Sequence, residues 1–447
     1  MWLPLAAARG VGRFPGLLWR GFMAIKLAGA WRGPLLRKPH RCSRYVALAA
    51  TAFMSIALQA QAVTLEQALL IAEQQAPALA ARRAGADAAQ QQRTAAGRLP
   101  DPKLSVGVEN LPVSGPDRFS WNRESMTMRR VGVMQDVPNR AKRAAQQASA
   151  QAAAEREQAL LRAEQLAVRR QTATAWLAHH YAQRRLEVFD ELLRENRVLQ
   201  DTLAARVTAG SAMPADAVMA RQEALELAER QDELQAAVAQ AAAGLRRWIG
   251  DAFDGTTTGS WEIPLDLSRV LSNLDRHAEL AAYRPMLAMA QADLEEAQAG
   301  RRGDWGWEVA YANRARGYGD MVSFQMSFEL PVSPTTRQDP QIAARRKALD
   351  QVQAEREDAL RRLRSEVEAQ AAELHRLERA LQRQNAAALP LATDRVRLAT
   401  ASYQGGRADL GAVLAARKEA AQARLRAIDL EAQLMVQRAQ LAYLILE

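Results

Sequence analysis

The sequence predicts a mainly α protein with a small β part, built from two copies of one strand-pair and long-helix unit. Three observations predict it. A strand-like segment ending in proline, Met126 to Pro138, is echoed by Val322 to Pro331, and each leads into a long stretch rich in Ala, Arg, Glu, Gln and Leu. Further pairs keep nearly the same register: Pro77 with Pro285, Ala154–Leu160 with Ala354–Leu360, and Gly210 with Gly406, at offsets of 208, 200 and 196 residues. Aromatic residues are only 5% of the 447, the makeup of long packed helices rather than of several compact domains.

The elements follow in order. Residues 1–62 hold nine Lys or Arg and no Asp or Glu, so nine of the ten net positive charges belong to this segment, and the remainder balances 51 basic against 50 acidic residues. Arg37 to Arg44, the apolar run Tyr45–Leu58 and the small residues of Ala60-Gln61-Ala62 read as a secretory leader with an extended front. The only cysteine, Cys42, lies in it, which leaves the rest of the chain without a disulfide or a zinc-thiolate site. The near-neutral remainder removes the main support for nucleic-acid binding.

Residues 63–250 form the first repeat. Thr64-Leu-Glu-Gln67 is a capping box that opens a helix expected to run through Pro77 to about Arg98. Strands are expected at about 103–111 and 126–137, the second with a slip in alternation at Arg129-Arg130 that reads as a bulge or a strand end. From Asn139 to Val207 there is neither proline nor glycine, room for a helix of roughly 100 Å. Gly210 and Pro214 mark a sharp reversal into a return helix. Residues 251–265 read as a linker, and 266–447 as the second repeat: a helix at about 271–298 containing Pro285, strands at about 305–313 and 321–330, a long helix to about Ala401 containing Pro390, a reversal at Gly406, and a final helix. Val322, Phe324, Met326, Phe328 and Leu330 alternate with Ser323, Gln325, Ser327 and Glu329, the clearest strand pattern in the chain.

Strands of nine to eleven residues with one apolar and one polar face have the texture of membrane-barrel strands. Four are too few to close a barrel, so closure would need a dimer or a trimer. Periodicity leaves open a second arrangement, a four-stranded sheet in water capping a helical bundle.

With the capping box, the Pro100-Asp101-Pro102 strand start, the duplicated strand pairs and the two glycine-bearing reversals in line, residues 63–447 resemble the TolC-type outer-membrane efflux family. The resemblance implies a homotrimer: a 12-stranded transmembrane β-barrel in outer-membrane lipid, continued by a periplasmic α-helical tunnel. It implies as partners a periplasmic adaptor (membrane fusion) protein and an inner-membrane RND-type pump, with the adaptor meeting the helix tips at Gly210, Ser211, Gly406 and Arg407. Pro100 to Pro112 resembles the strand start of the heavy-metal cation efflux branch, which makes export of metal cations the expected role. A duct for drugs or secreted polypeptides is the alternative within the fold, and a periplasmic coiled-coil scaffold or adaptor the alternative outside it. Some family members close their aperture with acidic residues six positions after each tip glycine. Asp216 stands there in the first half and is the expected gate, but Ala412 stands there in the second.

No Ser/His/Asp set, phosphate-binding glycine loop or metal-spaced cluster is present in the sequence, so neither an enzyme activity nor a cofactor is expected. His179-His180 invites a metal reading, yet adjacent helical residues point about 100° apart, which favours a solvated face. Met126, Met128 and Met134 carry soft thioethers but equally suit a packed strand. Arg140, Lys142 and Arg143 stand where barrel would meet tunnel, and Asp409 is placed to cap the last helix.

Overall fold

The computed structural model describes residues 62–259 and 265–444. The expected leader, save Ala62, lies outside the described residues. Among the described residues, ten α-helices and four strands follow in order: α1 (Leu65–Gln75), α2 (Pro77–Ala95), β1 (Lys103–Glu109), β2 (Met128–Val137), α3 (Arg140–Thr208), α4 (Pro214–Ile249), α5 (Leu267–Ser272), α6 (Ala278–Ala281), α7 (Tyr283–Ala299), β3 (Trp305–Asn313), β4 (Met321–Phe328), α8 (Gln338–Arg383), α9 (Leu389–Gln404) and α10 (Leu410–Ala442). The strands form one antiparallel sheet in the order β1-β2-β3-β4, so the two repeats meet along β2 and β3.

The prolines act more strongly than the sequence implied. A single helix through Pro77 does not form. Ala76 is extended (φ −62°, ψ 118°), because a residue before proline is disfavoured in the α region, and Pro77 starts a new helix where its missing N–H costs nothing. The stretch before Pro285 is likewise broken into α5, a short 3₁₀ turn and α6 before α7 begins. Pro390 is absorbed differently. The five residues before α9, Gln384–Ala388, widen into a π turn in which Leu389 N–H bonds Gln384 C=O, and Gln384 Nε2 donates to Ala423 C=O of α10 at 2.9 Å.

Two strands also start or stop earlier than their patterns suggested. β1 ends at Glu109 because Asn110 takes a left-handed conformation (φ 56°), which asparagine tolerates better than most residues. β4 ends at Phe328, although Glu329 N–H still bonds Asp304 C=O at 2.8 Å. Arg129-Arg130 marks a strand end rather than a bulge: β2 begins at Met128, not Met126, and pairing runs one to one through Val108↔Arg129 and Gly107↔Arg130 on one side, and Arg130↔Ala312 on the other.

The main core lies part-way along α3, where α1, α4 and α10 pack around Trp176, Leu177 and Tyr181. Trp176 is fully buried, and its Nε1–H donates to Val63 C=O at 2.9 Å, which satisfies the one polar atom of the ring. Thr64 caps α1 by accepting from Gln67 N–H, while the Gln67 side chain accepts from Thr64 N–H, so the expected capping box forms. Val63 pairs with Thr257, joining the start of the first repeat to the segment after α4.

Candidate functional site

The sheet has two unlike faces. On one, Leu104, Val106 and Val108 of β1 align with Val133, Val131 and Arg129 of β2, and Trp305, Trp307, Val309 and Tyr311 of β3 with Phe328, Met326, Phe324 and Val322 of β4. This face is laid open: Val106 is 73% exposed, Phe324 66% and Phe328 62%. The other face is small and polar, with Ser105, Gly107, Gly132, Gly306, Ala310, Ser323 and Ser327. At Gly132 an added Cβ would meet Glu308 Oε1 and Ser105 Oγ, each at 2.8 Å, so glycine here makes room for the charged side chains beside it.

Those charges are paired. Arg130 Nη1 reaches Glu109 Oε1 at 2.7 Å, its Nη2 reaches Glu308 Oε1 at 2.9 Å, and Lys103 Nζ meets Asp136 Oδ2 at 2.7 Å. Arg130 thus belongs to β2 of the first repeat but is neutralised partly by β3 of the second. β1 and β4 each have one edge with no strand beside it among the described residues.

At the junction of sheet and helices, Asn139 caps α3. Its side-chain oxygen accepts from Lys142 N–H at 2.8 Å, and its amide donates to Arg302 C=O at 2.8 Å and Ala299 C=O at 3.1 Å. Asp304 accepts from Asn139 N–H and pairs with Lys142 Nζ, both at 2.9 Å. Lys142, noted in the sequence for its charge, therefore ties the two repeats together.

The two helix reversals are built alike. At the first, Gly210 (φ 71°) turns the chain, Gly210 N–H bonds Val207 C=O at 3.0 Å and Ser211 N–H bonds Arg206 C=O at 2.8 Å. At the second, Gly406 (φ 67°) bonds Tyr403 C=O at 3.0 Å and Arg407 N–H bonds Ser402 C=O at 2.8 Å. Every atom pair is offset by 196 residues, and in both turns glycine supplies the left-handed conformation that ends a helix. Gly210, Ser211, Gly406 and Arg407 are all exposed, and a Cβ at either glycine would meet nothing within 4 Å. Asp216 Oδ2 accepts from Met213 N–H at 3.3 Å, so it serves its own helix start while staying half-exposed. Asp409 Oδ1 accepts from Ala412 N–H at 2.8 Å.

Above the tips lies a polar group that the sequence did not reveal. Asn196 of α3 is buried, and its amide donates to Ala220 C=O at 3.3 Å and to the Glu223 carboxylate of α4. Arg417 of α10 pairs with Glu195 at 3.0 Å, and Lys418 with Glu226 at 3.0 Å. These residues, with Phe189, Leu192 and Leu425, line a cavity of about 340 Å³. Burial pushes the Glu223 carboxyl up, against the opposing hydrogen bond from Asn196. One signal was available: Asn196 falls between Leu192 and Leu199 at the i, i+4, i+7 spacing of a packed face, an odd place for an amide.

The histidine pair is structural. His179 is fully buried, contrary to the solvated face expected, with Nδ1 3.2 Å from Thr257 Oγ1 and its ring edge-on to Phe253. His180 stacks on Trp176 with centroids 5.0 Å apart. Burial lowers the pKa of both. No group of three or more metal-ligating side chains occurs among the described residues, and no described helix is long and apolar enough to cross a membrane.

No family model matches the sequence, and no curated protein matches it. The fold does have solved counterparts. The chain superposes on CusC, described for conformational changes accompanying folding and transmembrane channel formation, with a TM-score of 0.72, 16% identity, and coverage of 85% of this chain and 91% of that one. The outer-membrane protein VceC of Vibrio cholerae gives 0.71 at 16% identity, covering 86% and 97%. The MtrE outer-membrane channel of Neisseria gonorrhoeae in its open state gives 0.70 at 15%, covering 85% and 88%. The chain thus has the fold of outer-membrane channels, and the resemblance to the TolC-type family holds at the level of the fold.

Proposed function

We propose that this chain is one third of an outer-membrane exit duct of the TolC type, working with a periplasmic adaptor and an inner-membrane pump. One observation carries the reading: a four-stranded sheet with a bare face that is apolar but for Arg129, Gln135 and Asn313 toward the strand ends, a small polar face and two open edges. Lipid offers backbone groups no hydrogen bond, so such a sheet survives in a bilayer only when closed. Three copies supply twelve strands. β1 runs antiparallel to β2 and β3 to β4, so β4 of one copy meets β1 of the next in the antiparallel sense a closed barrel requires.

In that arrangement the apolar face meets lipid, the polar face lines the pore, and α3, α4 and α8 to α10 form the periplasmic tunnel. The exposed reversals at Gly210 and Gly406 are the adaptor-docking tips, and Asp216 places one carboxylate per copy near the aperture. The duct performs no chemistry; the inner-membrane partner supplies the energy. For cargo we read heavy-metal cations, on the likeness of Pro100 to Pro112 to the cation-efflux branch.

The test is a deletion strain profiled against metal salts and hydrophobic drugs, with membrane fractions separated in parallel. Outer-membrane location and sensitivity to metal cations support the whole reading. Sensitivity to drugs alone keeps the duct and overturns the cargo. A protein recovered in the soluble periplasmic fraction overturns the duct.

A further inference from the structure

The open edges need not close in an arbitrary register, because the duplication supplies a template. Within one chain the repeats already join through β2 and β3, with Val133 opposite Val309 and Met134 opposite Glu308. The seam between copies joins the same two kinds of strand, β4 (the second-repeat counterpart of β2) and β1 (the first-repeat counterpart of β3). Pro138 and Pro331 follow the equivalent strands and lie 193 residues apart, which makes Val133 the counterpart of Met326. Leu104 faces Val133 and Trp307 faces Met326, so Leu104 is the counterpart of Trp307, an offset of 203 residues. Asp101 and Asp304, each just before its strand, keep that same 203-residue spacing.

We propose that neighbouring copies join in the register this relation dictates: Met326 opposite Val106 of the partner subunit, Phe324 opposite Val108 of the partner subunit, and Ser327 opposite Ser105 of the partner subunit. The inference rests on the closed-barrel reading and adds to it the residues of the seam. Two independent features agree with it. The register keeps Phe324 and Met326 on the apolar face beside Val106 and Val108, and Ser327 on the polar face beside Ser105, whereas any shift by one residue sets apolar against polar. The charges agree as well. Asp304 is held by Asn139 and Lys142 at the start of α3. Its counterpart Asp101 has no hydrogen bond or ion pair among the described residues, and neither does the side chain of Arg337, which holds the cap position of α8 as Asn139 holds that of α3. Equating the two caps, which α8 reaches five residues later than the 193-residue offset, brings Asp101 of the partner subunit toward the α8 start, a carboxylate toward an unpaired guanidinium.

Cysteine pairs test this directly, because opposed strand residues lie within the Cα separation a disulfide spans. In a Cys42→Ser background, three pairs are made: Ser105→Cys with Ser327→Cys, with Gln325→Cys and with Ser323→Cys. Each is oxidised in outer membranes and run on denaturing gels with and without reductant, after native mass determination of the detergent-extracted protein. The expected result is reductant-sensitive dimers and trimers for Ser105→Cys/Ser327→Cys, at least tenfold more abundant than for the pair with Ser323→Cys, whose partner lies about 13 Å along the strand. Strongest cross-linking with Gln325→Cys or Ser323→Cys overturns the register. Trimeric protein that cross-links through none of the pairs overturns the β4–β1 seam. Protein that is not trimeric overturns the duct reading itself, and the register with it.

Discussion

Asp216 and Asp409 solve the same problem from opposite positions. Asp409 stands at the cap of α10 and accepts from the N–H of Ala412, three residues on. Asp216 stands three residues into α4 and accepts from the N–H of the cap residue, Met213. Each reversal thus carries one half of a capping box, and the 196-residue offset puts Met213 opposite Asp409 and Asp216 opposite Ala412. The second-half carboxylate that is missing at the position equivalent to Asp216 is therefore present three residues earlier, in a capping role.

The first prediction follows from this division. Asp409→Ala should lower stability by about 1 kcal/mol, the usual loss for a helix N-cap. Asp216→Ala should lose about 0.3–1 kcal/mol, as expected for an anion in the first helical turn. Asp216→Asn keeps an acceptor for Met213 N–H and removes one charge per copy. Its thermal midpoint should stay near wild type while the cation selectivity of the reconstituted channel falls. Unchanged selectivity would place the aperture control elsewhere.

Gly210→Leu and Gly406→Leu should each cost only about 1 kcal/mol, since the penalty is the left-handed backbone rather than a clash. Docking is the more sensitive readout, because both residues lie on the exposed tips. Complementation of a deletion strain should drop sharply while trimers persist on gels. Full resistance with either variant would count against the tips as adaptor contacts.

Ser323 and Phe324 are neighbours on β4 that face opposite ways. Phe324→Lys should cost about 2–4 kcal/mol per copy if that residue lies near mid-bilayer, and deplete folded protein from outer membranes. Ser323→Lys should assemble normally and alter conductance. Equal tolerance of both substitutions would mean that the apolar face does not meet lipid.

His179, His180 and His277 bring an acid dependence. Burial holds all three below the ordinary histidine range, and His277 Nδ1 accepts from Glu279 N–H at 3.1 Å, which needs that nitrogen unprotonated. Below the ordinary value near pH 6.5 the unfolded chain takes up protons that the folded chain resists. Stability therefore falls as pH drops through that value, and the loss ends once pH passes the lowered folded values. Replacing the three with asparagine should flatten the thermal midpoint between pH 7 and 5 relative to wild type. An unchanged slope would assign the acid response to the carboxylates alone.

Patterns local in sequence were legible and those that depend on meeting across the fold were not. The alternation of β4, the glycines of both reversals and the Thr64 capping box each act within a few residues and were read as they stand. The break at Ala76 was missed because Pro77 sits inside a strong helical pattern, where the restriction on the preceding residue decides the outcome. Arg129-Arg130 looked like a fault in β2 because Glu308, which neutralises Arg130, lies in the other repeat. His179 looked solvated because the Phe253 and Thr257 that enclose it follow α4 by a turn that no periodicity describes. The Asn196–Glu223 pair hid among the many charges of two long helices, visible only when α3 and α4 lie side by side.

The central claim is that the sheet seals only when sister chains complete it. Native mass determination of the detergent-extracted protein, followed by conductance in a planar bilayer, tests it most directly. The account predicts a trimer that opens discrete ion-conducting channels. A monomer that remains dispersed in water after detergent removal and conducts nothing would contradict it.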